Sequence, residues 1–158
     1  MNNVHFSTGT TDWSTPQKFF ESLHTEFGFQ LDACATPANA KCWKYYTPDE
    51  DGLTRPWSPR TWCNPPYGYS IGKWVKKAYD ESRVVNTVVM LIPAKTETAW
   101  WHDYVMKAAE IRLVRGRLRF GGSKINAPFP SAVVVFKPGE WTPTFTAIDR
   151  ILDSEVAA

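Results

Sequence analysis

Trp62-Cys63-Asn64-Pro65-Pro66-Tyr67, followed by Gly68-Tyr69-Ser70, decides how this chain is read. The run Arg60-Thr61-Trp62-Cys63 has the β-branched and aromatic character of a strand. Two consecutive prolines then fix two φ angles at about −65° and remove two amide donors, so neither a helix nor a central ladder continues through them. A stiff loop therefore follows a buried strand, and it carries an amide side chain (Asn64), a free carbonyl (Pro65) and a flat ring (Tyr67). Such a set is suited to holding a planar base by its face while two acceptors draw on the two protons of an exocyclic amine. The same tetrapeptide also reads as a rigid turn that packs Tyr67 into the core, and the surrounding chain has to decide between the two.

At 158 residues the chain is of single-domain size, enough to bury a substantial core. A hydrophobic content of 43% with 22% charged residues is globular composition, while eight Trp and twelve Pro are high for this length and make ring faces abundant. The formal net charge of +2 is too mild to announce a nucleic-acid binder by total charge alone. Cys34, Cys42 and Cys63 form no CxxC pair and no His/Cys ligand spacing, so no metal site is expected and the thiols read as reduced core residues of a cytosolic protein. There is no signal-peptide pattern and no apolar run near the ~18 residues of a membrane span, so no membrane partner is expected.

Residues 1–11 are polar and read as an N-terminal arm, with a single domain over 12–158. Ser14 or Thr15 before Pro16, with Phe19, Phe20, Leu23 and Phe27 at helical spacing and Gly28 as the stop, predicts a first helix. Phe29 to Ala35 alternates as a short strand with Asp32 at its carboxyl end, where ligands bind in open α/β sheets; a cap or turn aspartate is the plainer reading. Residues 36–59 are irregular. Asp49-Glu50-Asp51 reads as a solvated turn, with Asp51 also placed to accept from a ligand at the sheet edge. An amphipathic helix follows over 70–83, then a strand over 84–93 apolar throughout, as a strand buried on both faces of a parallel sheet should be. Residues 98–109 predict another helix, 111–114 and 131–136 strands, and the tail from Gly139, with Trp141, Phe145, Ile148, Ile151 and Leu152, a closing helix.

Charge is polarised along the chain. Residues 12–51 hold seven acids against three lysines, whereas residues 112–130 hold Arg112, Arg115, Arg117, Arg119 and Lys124 and no acid. Arginines at every second or third position lie along one side of an extended ribbon, which suits a phosphate backbone, although a solvated hairpin face has the same pattern. Phe129, between Pro128 and Pro130, is a candidate second face for a base stacked on Tyr67, or a core residue.

Asn-Pro-Pro-Tyr at a strand end resembles the catalytic motif of S-adenosylmethionine-dependent methyltransferases that act on planar amines. With Asp12-Trp13-Ser14-Thr15-Pro16, Leu31-Asp32-Ala33-Cys34-Ala35, Asn39-Ala40-Lys41-Cys42, Asp51-Gly52-Leu53, Trp57 and Ala127-Pro128-Phe129-Pro130, the chain resembles the small phage and prophage Dam-like DNA adenine-N6 methyltransferases over roughly residues 12–138. The resemblance implies a Rossmann-like methyltransferase fold, an α/β domain with a mixed, mostly parallel sheet. It implies a catalytic loop of Asn64, Pro65, Pro66 and Tyr67, and a cofactor pocket drawn from Trp13, Thr15, Pro16, Asp32, Ala33, Cys34, Asp51, Gly52 and Asn64. Tyr67, Phe129, Arg115, Arg117, Arg119 and Lys124 would meet DNA. The glycine-rich FxGxG that normally follows the first strand of such enzymes is replaced by Asp32-Ala33-Cys34-Ala35.

The implied activity is methyl transfer from S-adenosylmethionine, without a metal, to N6 of an adenine flipped out of double-stranded DNA, with GATC as the group's usual target. The implied setting is the cytoplasm of a bacterial host carrying the phage or prophage. The same motif also serves methylation of RNA amines and of protein glutamine, and a DNA-binding module can keep the fold without catalysis. With no room for a large recognition domain, a homodimer or a relaxed specificity stays open.

Overall fold

The computed structural model describes residues 13–152; the expected N-terminal arm and Asp12 lie outside them. The first helix, α1 (Gln17–Phe27), opens directly after Pro16 and ends at Gly28, whose φ of 64° is the left-handed turn that closes a helix and lets its N–H reach the His24 carbonyl at 2.8 Å. Its apolar stripe, Phe19, Phe20 and Leu23, is buried, and Phe20 meets Trp62 edge-on at 5.4 Å.

The strands that follow are short: β1 (Leu31–Asp32), β2 (Lys44–Tyr45) and β3 (Arg60–Cys63). Helix α2 (Ile71–Ser82) buries Ile71, Trp74, Val75 and Ala78, as its period requires, and packs on β4 (Thr87–Pro93). Helix α3 (Ala99–Asp103), β5 (Glu110–Arg115), β6 (Ser131–Phe136) and β7 (Thr144–Asp149) complete the chain. All seven strands form one sheet in the order β2-β1-β3-β4-β6-β5-β7. Only β6 runs against the others: it is antiparallel to both β4 and β5, whereas the remaining pairs are parallel. The sheet is therefore mixed and mostly parallel, the arrangement of a Rossmann-like methyltransferase fold.

Three expectations change. Over the described residues the tail from Gly139 is not a closing helix: Thr144–Asp149 is an edge strand parallel to β5, with Phe145 beside Ile111, and residues 153–158 lie outside the described residues. Phe145 and Ile148 are spaced as on a helix, but Pro143 removes an amide at the start and alternating Thr144 and Thr146 favour extended backbone. The helix expected over 98–109 ends at Asp103, because Tyr104 leaves helical geometry at φ −126° and only a 3₁₀ turn, Val105–Lys107, follows. Strand β4 begins at Thr87 rather than at Val84; Val84 and Val85 are exposed in a turn that buried Asn86 anchors by donating to Glu81 Oε2 at 3.1 Å.

One close approach fixes the loop between β2 and β3. A Cβ added to Gly52 would stand 2.2 Å from the Ala33 carbonyl oxygen and 3.1 Å from the Trp74 ring, so only glycine lets this turn lie against the end of β1. The preceding residue, Asp51, holds φ 54°, and its carboxylate accepts from Leu53 N–H at 3.1 Å to cap the 3₁₀ turn.

Candidate active site at the carboxyl ends of the parallel strands

After β1 the chain moves outward to β2, and after β3 it moves the other way to β4, so the two adjacent strands diverge at their carboxyl ends. A crevice opens at such a reversal, the usual ligand position in open α/β sheets. Here it is a cavity of about 280 Å³. Its walls are the segment Trp13-Ser14-Thr15, the loop after β1 (Asp32, Cys34, Ala35, Thr36, Asn39, Lys41), Pro48, and the loop after β3 with Asn64, Pro65, Pro66 and Tyr67.

Asn64 is tied on both ends of its amide. The Nδ2 group donates to the Trp13 carbonyl at 2.6 Å and to Thr15 Oγ1 at 3.2 Å, while Oδ1 accepts from the Tyr67 hydroxyl at 2.7 Å. The Tyr67 hydroxyl also reaches the Leu91 carbonyl at 3.3 Å. Thr15 is thus drawn away from capping α1 and spends its hydroxyl on the loop after β3 instead. Tyr67 is 8% exposed, and its burial pushes its phenol well above the ordinary tyrosine range. The turn packs Tyr67 into the core, and the same turn walls the cavity.

Around Tyr67 the rings stand at steep angles. Phe129 meets it at 5.4 Å and 87°, Phe120 at 6.1 Å and 83°, and Trp13 lies tilted at 6.0 Å and 39°. Phe129 also touches Trp13 at 5.3 Å, so Tyr67 and Phe129 are neighbours in one cluster rather than parallel walls with a base-wide gap between them.

Asp32 is 3% exposed at the end of β1. Its Oδ2 accepts from Lys41 N–H at 3.0 Å and its Oδ1 from Cys34 N–H at 3.3 Å, which folds the following loop back over the strand end. Burial raises its carboxyl to about 6, and those two backbone hydrogen bonds offset part of the rise. Two polar atoms of the Trp13-Ser14 wall, Trp13 Nε1 and Ser14 Oγ, are buried without a hydrogen-bond partner among the described residues.

The other expected residues fall elsewhere. Ala33 and Gly52 are buried behind the wall, and Asp51 caps its own 3₁₀ turn, so none of the three walls the cavity. Pro16 lines a separate cavity of about 200 Å³ together with Leu118, Arg119 and Lys124. Arg112 leaves the basic ribbon: its guanidinium grips Glu26 at 2.6 Å and Glu110 at 2.7 Å. Arg115, Arg117 and Lys124 are exposed, and Arg119 is half-buried, donating from Nε to Asn126 Oδ1 at 3.1 Å. Arg150, which no sequence pattern singled out, joins them by donating to the Arg117 carbonyl at 2.8 Å and to Asn126 Oδ1 at 3.1 Å. Ser14, Lys41 and Pro48 were likewise not predicted as wall residues; Lys41 stood in the family-like string Asn39-Ala40-Lys41-Cys42, but its contribution here is a backbone N–H, which no residue type signals.

The sequence is similar to those of known proteins. The DNA N-6-adenine-methyltransferase of Escherichia phage T1 is 37% identical over 102 residues, 63% of this chain and 42% of that protein. The DNA N-6-adenine-methyltransferase of Haemophilus phage HP1 is 32% identical over 136 residues, covering 80% of this chain and 78% of that one. Putative methyltransferase YfdM of Escherichia coli K12 is 40% identical over 63 residues, 35% of this chain and 69% of that one. The chain thus spans under half the length of the phage T1 relative and over three quarters of the phage HP1 relative. The family model described as DNA N-6-adenine-methyltransferase (Dam) matches residues 6–140, and the chain belongs to that family.

Proposed function

We propose that this chain transfers a methyl group from S-adenosylmethionine to the exocyclic N6 of an adenine flipped out of double-stranded DNA, with GATC the first sequence to test. The observation that carries the reading is the juxtaposition, across one cavity, of the buried Asp32 carboxylate with the doubly anchored Asn64-Pro65-Pro66-Tyr67 loop. Membership of the Dam family supports it.

The wall residues fit such a cofactor. A buried carboxylate whose ionised form is disfavoured gains from a cationic amine or a hydroxyl donor. The apolar faces of Trp13, Pro48 and Trp62 suit a ring or a thioether-like chain. When bound, S-adenosylmethionine supplies an electrophilic methyl on a sulfonium. The chain's own residues hold the nucleophile. Adenine's amine is a weak nucleophile because its lone pair is delocalised into the ring. If Asn64 Oδ1 and the Pro65 carbonyl each accept one N–H, the nitrogen pyramidalises and its lone pair is aimed. Asn64 Oδ1 exchanges the Tyr67 hydroxyl for the incoming amine, and Tyr67 keeps the Leu91 carbonyl as its partner. No general base with a shifted pKa is required: the methylated nitrogen is strongly acidic and releases its surplus proton to solvent, so alignment and fixed dipoles carry the rate, with proximity alone able to supply about 7 to 11 kcal/mol.

The test is transfer of labelled methyl from S-adenosylmethionine to unmethylated duplex DNA, with tRNA and a protein mixture as parallel acceptors. Label is expected in DNA, as N6-methyladenine; label in tRNA or protein alone overturns the reading. In the same assay Asn64→Ala lowers kcat by at least about 100-fold, on the scale of losing one transition-state acceptor, with cofactor affinity within about threefold of wild type. Thr15→Val separates the two roles of Asn64, since it loosens the amide's anchor and leaves Oδ1 in place. Equal loss of turnover and cofactor binding in Asn64→Ala contradicts the assignment.

Asp32 gives the site a pH signature. Its folded carboxyl is raised to about 6, above its ordinary value, so the free protein keeps the proton up to about that pH; stability from this group is present below the unfolded pKa and declines as pH rises towards about 6. Cofactor binding runs the other way, because a cationic amine prefers the ionised carboxylate. Affinity is expected to rise by up to about tenfold per pH unit below about 6 and to level off above it, and Asp32→Asn flattens the profile. A pH-independent Kd in the wild type removes Asp32 from the cofactor's contacts.

Arg115, Arg117 and Arg119 we assign to the DNA backbone. Changing all three to Ala is expected to weaken duplex binding and to reduce the slope of log K against log salt by up to about 3, roughly one per phosphate contact. An unaltered slope makes the ribbon an ordinary solvated face.

A further inference from the structure

The side chain of Tyr69 is fully exposed, at 108% relative accessibility, two residues beyond Tyr67. Among the described residues it makes no ring contact and no hydrogen bond, although aromatic rings usually find cover. The chain turns at Gly68, whose φ of 132° is open to glycine, so the loop sends Tyr67 into the cavity wall and Tyr69 out into solvent. Two exposed cations stand on segments that adjoin the loop after β3: Lys73, in the first turn of α2 and four residues after Tyr69, and Lys95, just past the carboxyl end of β4, the strand paired with β3. Neither makes an ion pair among the described residues.

We propose that Tyr69 is the residue that enters the duplex beside the target adenine and takes the stacking place the flipped base leaves, with Lys73 and Lys95 on the flanking phosphates. This rests on the base-flipping reading above. A flipped base leaves a gap whose neighbouring bases lose a stacking partner, and side chains inserted between base steps offset that loss. The inserted group has to stand next to the pocket that receives the base, has to be free of the protein's own packing, and has to present a flat or apolar surface. Tyr69 meets all three, whereas Tyr67, held by Asn64, Leu91, Phe120 and Phe129, is not free of the protein's own packing. The rigid Pro65-Pro66 pair fixes where the turn leaves β3, and Gly68 alone separates the two tyrosines, so base capture and gap filling fall to residues two apart on one turn.

Two measurements test this, and they separate its failure from failure of the methylation reading. The first compares wild type, Tyr69→Ala and Tyr69→Phe on a matched duplex, on the same duplex with the target adenine mismatched, and on single-stranded DNA. Tyr69→Ala is expected to lose about 10- to 100-fold in kcat/KM on the matched duplex, on the scale of one lost stacking contact. On single-stranded DNA, where no duplex gap is left to fill, its loss stays within about threefold, and on the mismatched duplex, where less energy is needed to extrude the base, it is smaller than on the matched one; Tyr69→Phe recovers the duplex rate, and cofactor affinity is unchanged. Equal loss on all three DNAs, or no loss on the duplex, overturns the proposal. The second needs no turnover: long-wavelength irradiation of the wild-type protein on duplex DNA carrying 5-iodouracil, with the linked residue mapped by mass spectrometry. A cross-link at Tyr69 is expected. Its absence, with cross-links found only at the arginine ribbon, overturns the proposal even if methylation proceeds; a cross-link at Tyr69 in a protein that transfers no methyl to DNA supports the contact and removes the proposed activity.

Discussion

The parallel pairing of β1 with β3 is the constraint on which the site depends. Asp32 lies beside Trp62 in that ladder, so the carboxyl end of one strand and the loop after the other open into the same crevice. The pairing is short, and the backbone extends it at both ends: Gln30 N–H reaches the Arg60 carbonyl at 2.8 Å and Ala33 N–H the Trp62 carbonyl at 2.9 Å. Trp62 gives the pair its weight. It is fully buried and meets Phe20 at 5.4 Å and Phe29 at 5.5 Å, tying the strand to α1. Removing those rings from water is the main favourable contribution available to two strands too short to be held by their hydrogen bonds alone.

A second layer of organisation comes from polar groups that leave their local partners. Asn64 reaches 51 residues back to the Trp13 carbonyl, and Thr15 gives its hydroxyl to Asn64 rather than to its own helix. Gly121 N–H, in the turn that follows the basic ribbon, closes on the Ser14 carbonyl at 3.0 Å. The Trp13-Ser14-Thr15 segment is thereby stitched between the loop after β3 and the turn after the ribbon. The proposed cofactor wall, the motif loop and the proposed DNA-contacting ribbon consequently share one short piece of chain.

Much of this was legible in the sequence where local chemistry decides structure. Two prolines in series fix a turn whatever surrounds it, the Val-Val-Met-Leu-Ile run is a doubly buried strand on composition alone, and the apolar positions of α1 and α2 recur at helical spacing. The failures lie where distant contacts decide. Phe145 and Ile148 are three residues apart and fit a helix, yet pairing with β5 wins on an exposed edge where no helical face would be buried more deeply. Arg112 belongs to the basic run by position, but it is withdrawn by Glu26, 86 residues away. The partners of Asp32 are backbone N–H groups, which every residue but proline carries, so no pattern of side chains foretells them.

The most direct measurement is a crystal structure of the protein with S-adenosylhomocysteine, the product left after methyl transfer. The predicted result is the ligand in the crevice between β1 and β3, its amine or ribose hydroxyls within hydrogen-bond reach of Asp32 and its sulfur facing Asn64. A ligand bound away from that crevice, or seated there with its sulfur turned from Asn64, contradicts the claim that this pairing of strands creates the reaction site.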